Sequence, residues 1–344
     1  MSDAPSDYTG VLTSDDWMCK HCSLPMRDHS CLNGFARTEY KIVGMMRVHN
    51  EAPWIAEVIE GIRPLCDKIF ILDDHSTDNT VEVCMRYHPQ VDVLPSHFTG
   101  LNERRDKNWL LDEITRRCKA ELILCIDGDE VMEPSGPDII RGTIDAHPNT
   151  ASYVLKIAFL WNNQETWRVD RIYNDFWRPS LFRPFHEDPN KPDDRKLLNE
   201  LRFMATPFGR AIDGNEPNLH CSSVPQRFIH GCGLMPVRLK HYGYMSRESR
   251  VKKLDYYTSI DWKNAAEDCY RHMTQGDNVQ LSELPRVQAM LAAGTLTQGD
   301  VDYLITATPD MRLVHAGPLE LAPWDVDTPW VPSDWALGQY RGTF

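Results

Sequence analysis

The sequence predicts an α/β protein: a Rossmann-like, mostly parallel central sheet flanked by helices, with a helical C-terminal extension. Three observations carry that prediction. From Lys41 onward, apolar runs alternate with helical stretches, the signature of repeated βαβ units. Leu122 to Ile126, inside E-L-I-L-C-I-D-G-D-E, has the length and β-branched content of a strand buried on both faces. Acids also gather directly behind two of the predicted strands, where open α/β sheets bind their ligands.

Composition narrows the class. A chain of 344 residues can bury a sizeable core, as one large domain with appendages or as two domains. Its 37 basic and 50 acidic residues give a formal charge of −13, which argues against nucleic acid as the main partner. No apolar run reaches the length of a membrane-spanning helix, and M-S-D-A-P-S-D-Y lacks the basic and apolar regions of a signal peptide, so a cytoplasmic location is expected. Ten cysteines spread over this length do not resemble a secreted disulfide framework. Cys66, Cys84, Cys118 and Cys125 fall in apolar stretches, where a thiol packs as a small hydrophobe.

Taken in order, residues 1–40 form a cysteine-rich arm. Its Cys19, Cys22, His29 and Cys31 could give three thiolates and one imidazole to a tetrahedral structural zinc; a disulfide or plain reduced thiols are the competing readings. Ile42 to Met46 is the first strand. A helix follows, with Asn50 as its cap, Pro53 in its first turn, and Trp54, Ile55, Val58, Ile59 and Ile62 on its apolar face. Lys68 to Leu72 is the second strand and ends in D-D-H-S-T-D-N-T. Capping by Asp78 explains the helix from Thr80 to about Tyr87 but accounts poorly for Asp73 and Asp74. A short strand near Val91 to Leu94 leads to an amphipathic helix from Asn102 to Arg117. Its start carries Arg104, Arg105, Lys107 and Asn108, and cations there oppose the helix dipole unless they serve something nearby, such as a diphosphate.

The knot after the central strand is the chemically informative one. Asp127, Asp129 and Glu130 surround Gly128, and carboxylates so close repel one another. A hard divalent ion, Mg²⁺ or Mn²⁺, relieves that repulsion and calls for a second anion, for which a diphosphate is the natural candidate. The competing reading is an Asp-Gly turn whose acids face water. Beyond it come a helix from Pro137 to about His147, the long strand S-Y-V-L-K-I-A-F-L-W, and helices over Ser246 to Met273, Leu284 to Ala293 and Thr297 to Thr306. A tail carrying Trp324, Trp330, Trp335, Tyr340 and Phe344 is expected to pack on the domain or at a subunit contact of a homo-oligomer.

Together, R-V-H-N-E, L-D-D-H-S-T-D-N-T, R-D-K-N-W-L-L and C-I-D-G-D-E, in this order, resemble the nucleotide-sugar-binding half of family 2 glycosyltransferases with the GT-A fold. The match covers about Lys41 to Met132. The resemblance implies a catalytic domain over 41–245, with donor binding in 41–132 and the acceptor side in 133–245, followed by the helical and aromatic region 246–344. It implies that Asn50 and Glu51 flank the nucleotide pocket, that Asp74 or Asp73 bonds base or ribose, and that Asp127 and Asp129 are the D-x-D that holds ribose and metal. Lys107 stands where relatives usually have arginine, beside the matching Asn108, and loses bidentate geometry there. The stretch R-P-S-L-F-R-P resembles the one preceding the acceptor site. Asp188 or Glu187 behind it is the candidate base for inverting transfer, with Glu200, Asp213 and Glu216 as alternatives. A late histidine completes the metal shell in such enzymes; His241 fits best, after a short strand V-R-L-K, and His220 less well.

The resulting expectation is an inverting, metal-dependent hexosyltransferase. It would use Mn²⁺ or Mg²⁺ and a nucleoside diphosphate sugar, with a glycan, lipid-linked precursor, metabolite or protein as acceptor. Two alternatives remain open. A nucleotidyltransferase usually needs a glycine-rich loop after the first strand, where this chain reads R-V-H-N-E. The other is an inactive binding protein that keeps the sheet.

Overall fold

A computed structural model describes residues 38–170, 173–184, 202–203, 221–229, 231–260, 270–306 and 319–325. Strand β1 (Thr38–Val48) runs between β2 (Lys68–Asp73) and β4 (Cys118–Cys125), both parallel to it, and β3 (Val91–Pro95) extends the parallel sheet beyond β2. On the other side of β4 the sheet turns antiparallel through β8 (Trp177–Phe182), β6 (Ser152–Trp161), β7 (Asn163–Arg168) and the edge strand β10 (Leu321–Pro323). Strand β9 (Gly233–His241) lies parallel to β6 and pairs with the short β5 (Glu130–Met132), aligning Glu130 with His241. Most paired positions lie in parallel ladders, as the alternating pattern predicts.

Strand periodicity assigns the two faces. From β1, Ile42, Met46 and Val48 join one core, packed on Ile55, Val58, Ile59 and Ile62 of helix α1 (Ile55–Ile62). Val43 and Met45 point the other way, onto Leu110, Leu111 and Ile114 of helix α3 (Glu103–Arg117). All ten residues of β6 are buried, which is why the segment is apolar apart from Ser152 and Lys156. Helix α4 (Gly136–Ala146) buries Ile140 and Ile144 against the α1 face. The four cysteines expected to pack as hydrophobes, Cys66, Cys84, Cys118 and Cys125, are buried free thiols.

Helices α5 (Arg247–Ile260), α6 (Pro285–Ala292) and α7 (Gln298–Thr306) build a separate core from Val251, Leu254, Met273, Leu284, Val287 and Val301. Two buried arginines tie it to the sheet. Arg168 of β7 grips Asp170 at 2.5 and 2.9 Å and donates to the His272 carbonyl at 2.8 Å. Arg250 of α5 grips Asp277 at 2.6 and 2.7 Å and donates to the carbonyls of Tyr244 and Met245. Both guanidinium groups lie over the Trp161 ring, at 4.7 and 4.2 Å.

Several expectations are corrected. Asn50 is not the cap of α1: its backbone is left-handed (φ 58°) and its Oδ1 accepts from the Thr77 N–H at 2.7 Å, while Trp54 stands at the cap position without a side-chain bond. An Asn tolerates that backbone and here staples two loops together. Asp73 has a turn role after all, accepting from the Ser76 N–H at 3.2 Å. The helix after Asp78, α2 (Thr80–Met85), stops short of Tyr87. The V-R-L-K strand extends to nine residues because its earlier half pairs with β6. Trp324, by contrast, packs on the domain as expected, with Arg238 and Lys240 over its ring at 4.7 and 4.5 Å. Cys19, Cys22, His29, Cys31, Glu187, Asp188, Glu200, Asp213, Glu216, His220, Trp330, Trp335, Tyr340 and Phe344 lie outside the described residues.

Candidate active site

The parallel pairing of β2, β1 and β4 puts Asp73, Asp74 and Asp127 at one edge of the sheet, the carboxyl ends of neighbouring strands. Gly128 makes the turn between the acids because nothing larger fits: a methyl group there would lie 2.8 Å from Val48 and 3.0 Å from the Glu51 side chain. The loop therefore closes directly on the β1–α1 connection that carries Asn50 and Glu51.

Cations converge on the acids from distant segments. Arg178 of β8 donates to Asp127 Oδ2 at 2.8 Å and also pairs with Glu130, whose other oxygen is buried without a partner. Lys107 of α3 stands 3.6 Å from Asp127 Oδ1. Lys253 of α5 donates to Asp129 Oδ2 at 3.1 Å, and His241 Nε2 lies 3.7 Å from the same oxygen. A second chain of charges runs beside them: Arg47 of β1 pairs with Asp74 and, at 2.9 Å, with Asp106 of α3, which also accepts from Arg105 at 2.8 Å.

Burial and these charges set the protonation states. Burial raises the Asp127 carboxyl, but Lys107 and Arg178 outweigh it and hold the group well below the usual carboxylate range. Asp129 is also lowered on balance, burial being opposed by His241 and Lys253. Burial takes His241 itself down to about 4, so at neutral pH its imidazole is uncharged and Lys253 is the charged partner of Asp129. Glu130 is pushed up to about 7 and Glu51 to about 8, both chiefly by burial and further by neighbouring acids.

The residues singled out from sequence thus divide. Asp127, Asp129, Glu130, Glu51, Lys107 and His241 come together in one cluster, and Asp74 borders it through Arg47. Asn108 is occupied elsewhere: its amide accepts from the Phe203 N–H at 2.9 Å and donates to the Phe203 carbonyl at 3.2 Å. Arg105 holds its own loop through the carbonyls of Thr99 and Gly100, at 3.1 and 2.8 Å. Arg104 likewise interacts within the fold. Sequence reading passed over Arg47, Arg178, Gly243 and Lys253. Arg47 and Arg178 lie within R-V-H-N-E and R-P-S-L-F-R-P, yet nothing local marks which of the nearby cations turns inward.

Among the described residues no three Asp, Glu, His or Cys side chains already converge on one metal position. The donor chemistry nevertheless fits a hard divalent ion, with two carboxylates, Asp127 and Asp129, and one neutral imidazole whose Nδ1 is buried without a partner. The internal cations, Lys253 above all, hold those carboxylates at present.

The class that this fold and site define is an α/β protein with a cluster of acids, lined by cations, at the carboxyl edge of its sheet. Residues 45–212 match the family model described as glycosyl transferase family 2. Among curated proteins the chain is 22% identical to an uncharacterized protein of Mycobacterium tuberculosis, over 64% of this chain and 51% of that one. It is 24% identical to an uncharacterized glycosyltransferase of Rickettsia felis, over 65% of this chain and 70% of that one. The chain thus spans about half the length of the mycobacterial relative. Among solved structures it is similar to S. aureus TarS, with a TM-score of 0.34 and 15% identity over 77% of this chain and 81% of that one. It is also similar to glucosyl-3-phosphoglycerate synthase from Mycobacterium tuberculosis in complex with Mn²⁺ and UDP-glucose, with a TM-score of 0.27 and 20% identity over 35% and 44%. No helix among the described residues is long and apolar enough to cross a membrane.

Proposed function

We propose that this chain moves a hexosyl group from a nucleoside diphosphate sugar to an acceptor hydroxyl with inversion, assisted by Mn²⁺ or Mg²⁺. One observation carries the reading. The Asp127-Gly128-Asp129 turn is closed into the carboxyl edge of the sheet, and Lys107, Arg178 and Lys253 surround it with positive charge. A diphosphate is the ligand that this mixture of acids and cations suits, since each phosphate can accept from an ammonium or guanidinium while the carboxylates hold ribose hydroxyls and the metal.

In this reading residues 41–132 bind the donor and 133–245 the acceptor. Asp74, with Asp73 and Asn50 behind it, borders the nucleoside, and Asp127 accepts from the ribose. Asp127, Asp129 and His241 would hold the ion, which when bound would neutralise charge developing on the leaving diphosphate. Lys107 and Arg178 add fixed positive charge at the same place, already positioned by their carboxylates before the donor arrives. His241 suits its part because it is neutral at physiological pH and offers a lone pair. Asp188 or Glu187 remains the proposed base that takes the acceptor proton.

The direct test is thermal melting of the protein with a panel of uridine, guanosine and thymidine diphosphate sugars, with and without Mn²⁺, followed by assay of sugar release. At least one donor should raise the melting temperature more with Mn²⁺ than without, because ligand binding to the folded state alone stabilises it. A panel in which no donor shifts the transition and none is hydrolysed would overturn the proposal.

A further inference from the structure

Lys253 reaches the site from α5, outside the segment that matches the family model. Its ammonium donates to Asp129 Oδ2 at 3.1 Å, the oxygen that His241 Nε2 also approaches. The seat is closely fitted. A methyl group on Gly243 would stand 2.2 Å from the ammonium and 2.1 Å from the carboxylate oxygen, and the Tyr244 ring lies 5.0 Å from the charge. The Asp129 side chain is 8% exposed and that of Lys253 27%, so the pair is largely withdrawn from water.

A divalent ion bound by Asp129 uses the same carboxylate. Two cations at contact distance from one oxygen, in poorly solvated surroundings, repel each other strongly. One must give way. The ammonium sits on a flexible four-carbon stem rooted in a helix, so it can move a few ångströms without disturbing the sheet.

We propose that Lys253 is a built-in competitor of the divalent cation for Asp129: it neutralises the acid when no metal is bound, then yields it to the metal and turns its charge to the donor diphosphate. The proposal rests on the glycosyltransferase reading above and deepens it. It makes metal and nucleotide binding cooperative, because the displaced ammonium gains a new partner only when the diphosphate is present.

The test is Mn²⁺ binding by the full chain, followed by calorimetry and by loss of the free-ion EPR signal, for wild type, K253M, K253Q and K253R. Melting curves of each variant verify folding, and the Met and Gln variants are run together so that the result does not depend on one substitution. Without nucleotide, K253M and K253Q should bind Mn²⁺ roughly tenfold more tightly than wild type, about 1.4 kcal/mol, while K253R stays near wild type. With uridine diphosphate added, wild type should gain Mn²⁺ affinity and the neutral variants should gain less. If wild type binds Mn²⁺ and the neutral variants bind it no more tightly, the competition is refuted while the transferase reading stands. If no form binds Mn²⁺ and no donor shifts the melting temperature, both fall together.

Discussion

Two clusters of buried ion pairs in this molecule look alike and behave differently. Where the sheet meets the helical region, Arg168 and Arg250 each grip one carboxylate with two nitrogens, give remaining protons to backbone carbonyls and to the amide oxygens of Gln275 and Asn162, and lie over Trp161. At the carboxyl edge of the sheet, one arginine is shared by two acids, two lysines make single contacts, and Glu130 Oε1, Arg178 Nε and His241 Nδ1 are buried with no partner. A satisfied network specifies packing. An unsatisfied one, costly to keep, marks where polar groups are reserved for a ligand.

That contrast can be broken or sharpened by substitution. The largest effect is expected from Arg168→Met, which strands Asp170 as a buried unpaired charge; stability in urea should fall by about 3–5 kcal/mol with donor affinity unchanged in the folded fraction. Asp129→Ala should do the reverse, cutting sugar transfer by roughly 10²–10³-fold, the usual size of losing a charge-stabilising group, with little change in melting temperature. A variant with full turnover would remove Asp129 from the site. Gly243→Ala comes next. Its methyl group has to push the Asp129 carboxylate and the Lys253 ammonium apart, an overpacking of about 1–3 kcal/mol that should weaken donor binding by roughly tenfold at intact secondary structure.

The smallest effect is in pH dependence. Folded Glu130 keeps its proton up to about 7, whereas in the unfolded chain a glutamate loses it near about 4.3. Between those values the native state binds more protons, so this group makes stability fall as pH rises through that window and leaves it flat above. Glu130→Gln should flatten that part of the curve in a melting series. An unaltered profile would show that Glu130 is already ionised when folded.

How much of this could be read in advance follows from range. Strands β1, β2, β4 and β6 are legible because each carries an apolar stretch (residues 42–46, 69–72, 122–125 and 157–161) whose burial depends on its own residues. The acids are legible because they follow those runs directly. So is Lys107, because a cation at a helix start stands out, but Arg178 and Lys253 come from an antiparallel strand and a C-terminal helix, and only tertiary pairing selects them from the other cations nearby. The turn roles of Asn50 and Asp73 are hidden for a related reason, since Asx side chains serve loops and caps by the same chemistry and only the backbone conformation tells which.

The alignment of Glu130 with His241 has a consequence for the order of assembly. The two strands that meet there are separated by most of the antiparallel half of the sheet, so closing that ladder carries a large chain-entropy cost and belongs to the late stages of folding. A nascent polypeptide can therefore complete its parallel layers, with the acids in place, well before the imidazole arrives. The cluster of acids and imidazole is complete only once synthesis has passed His241.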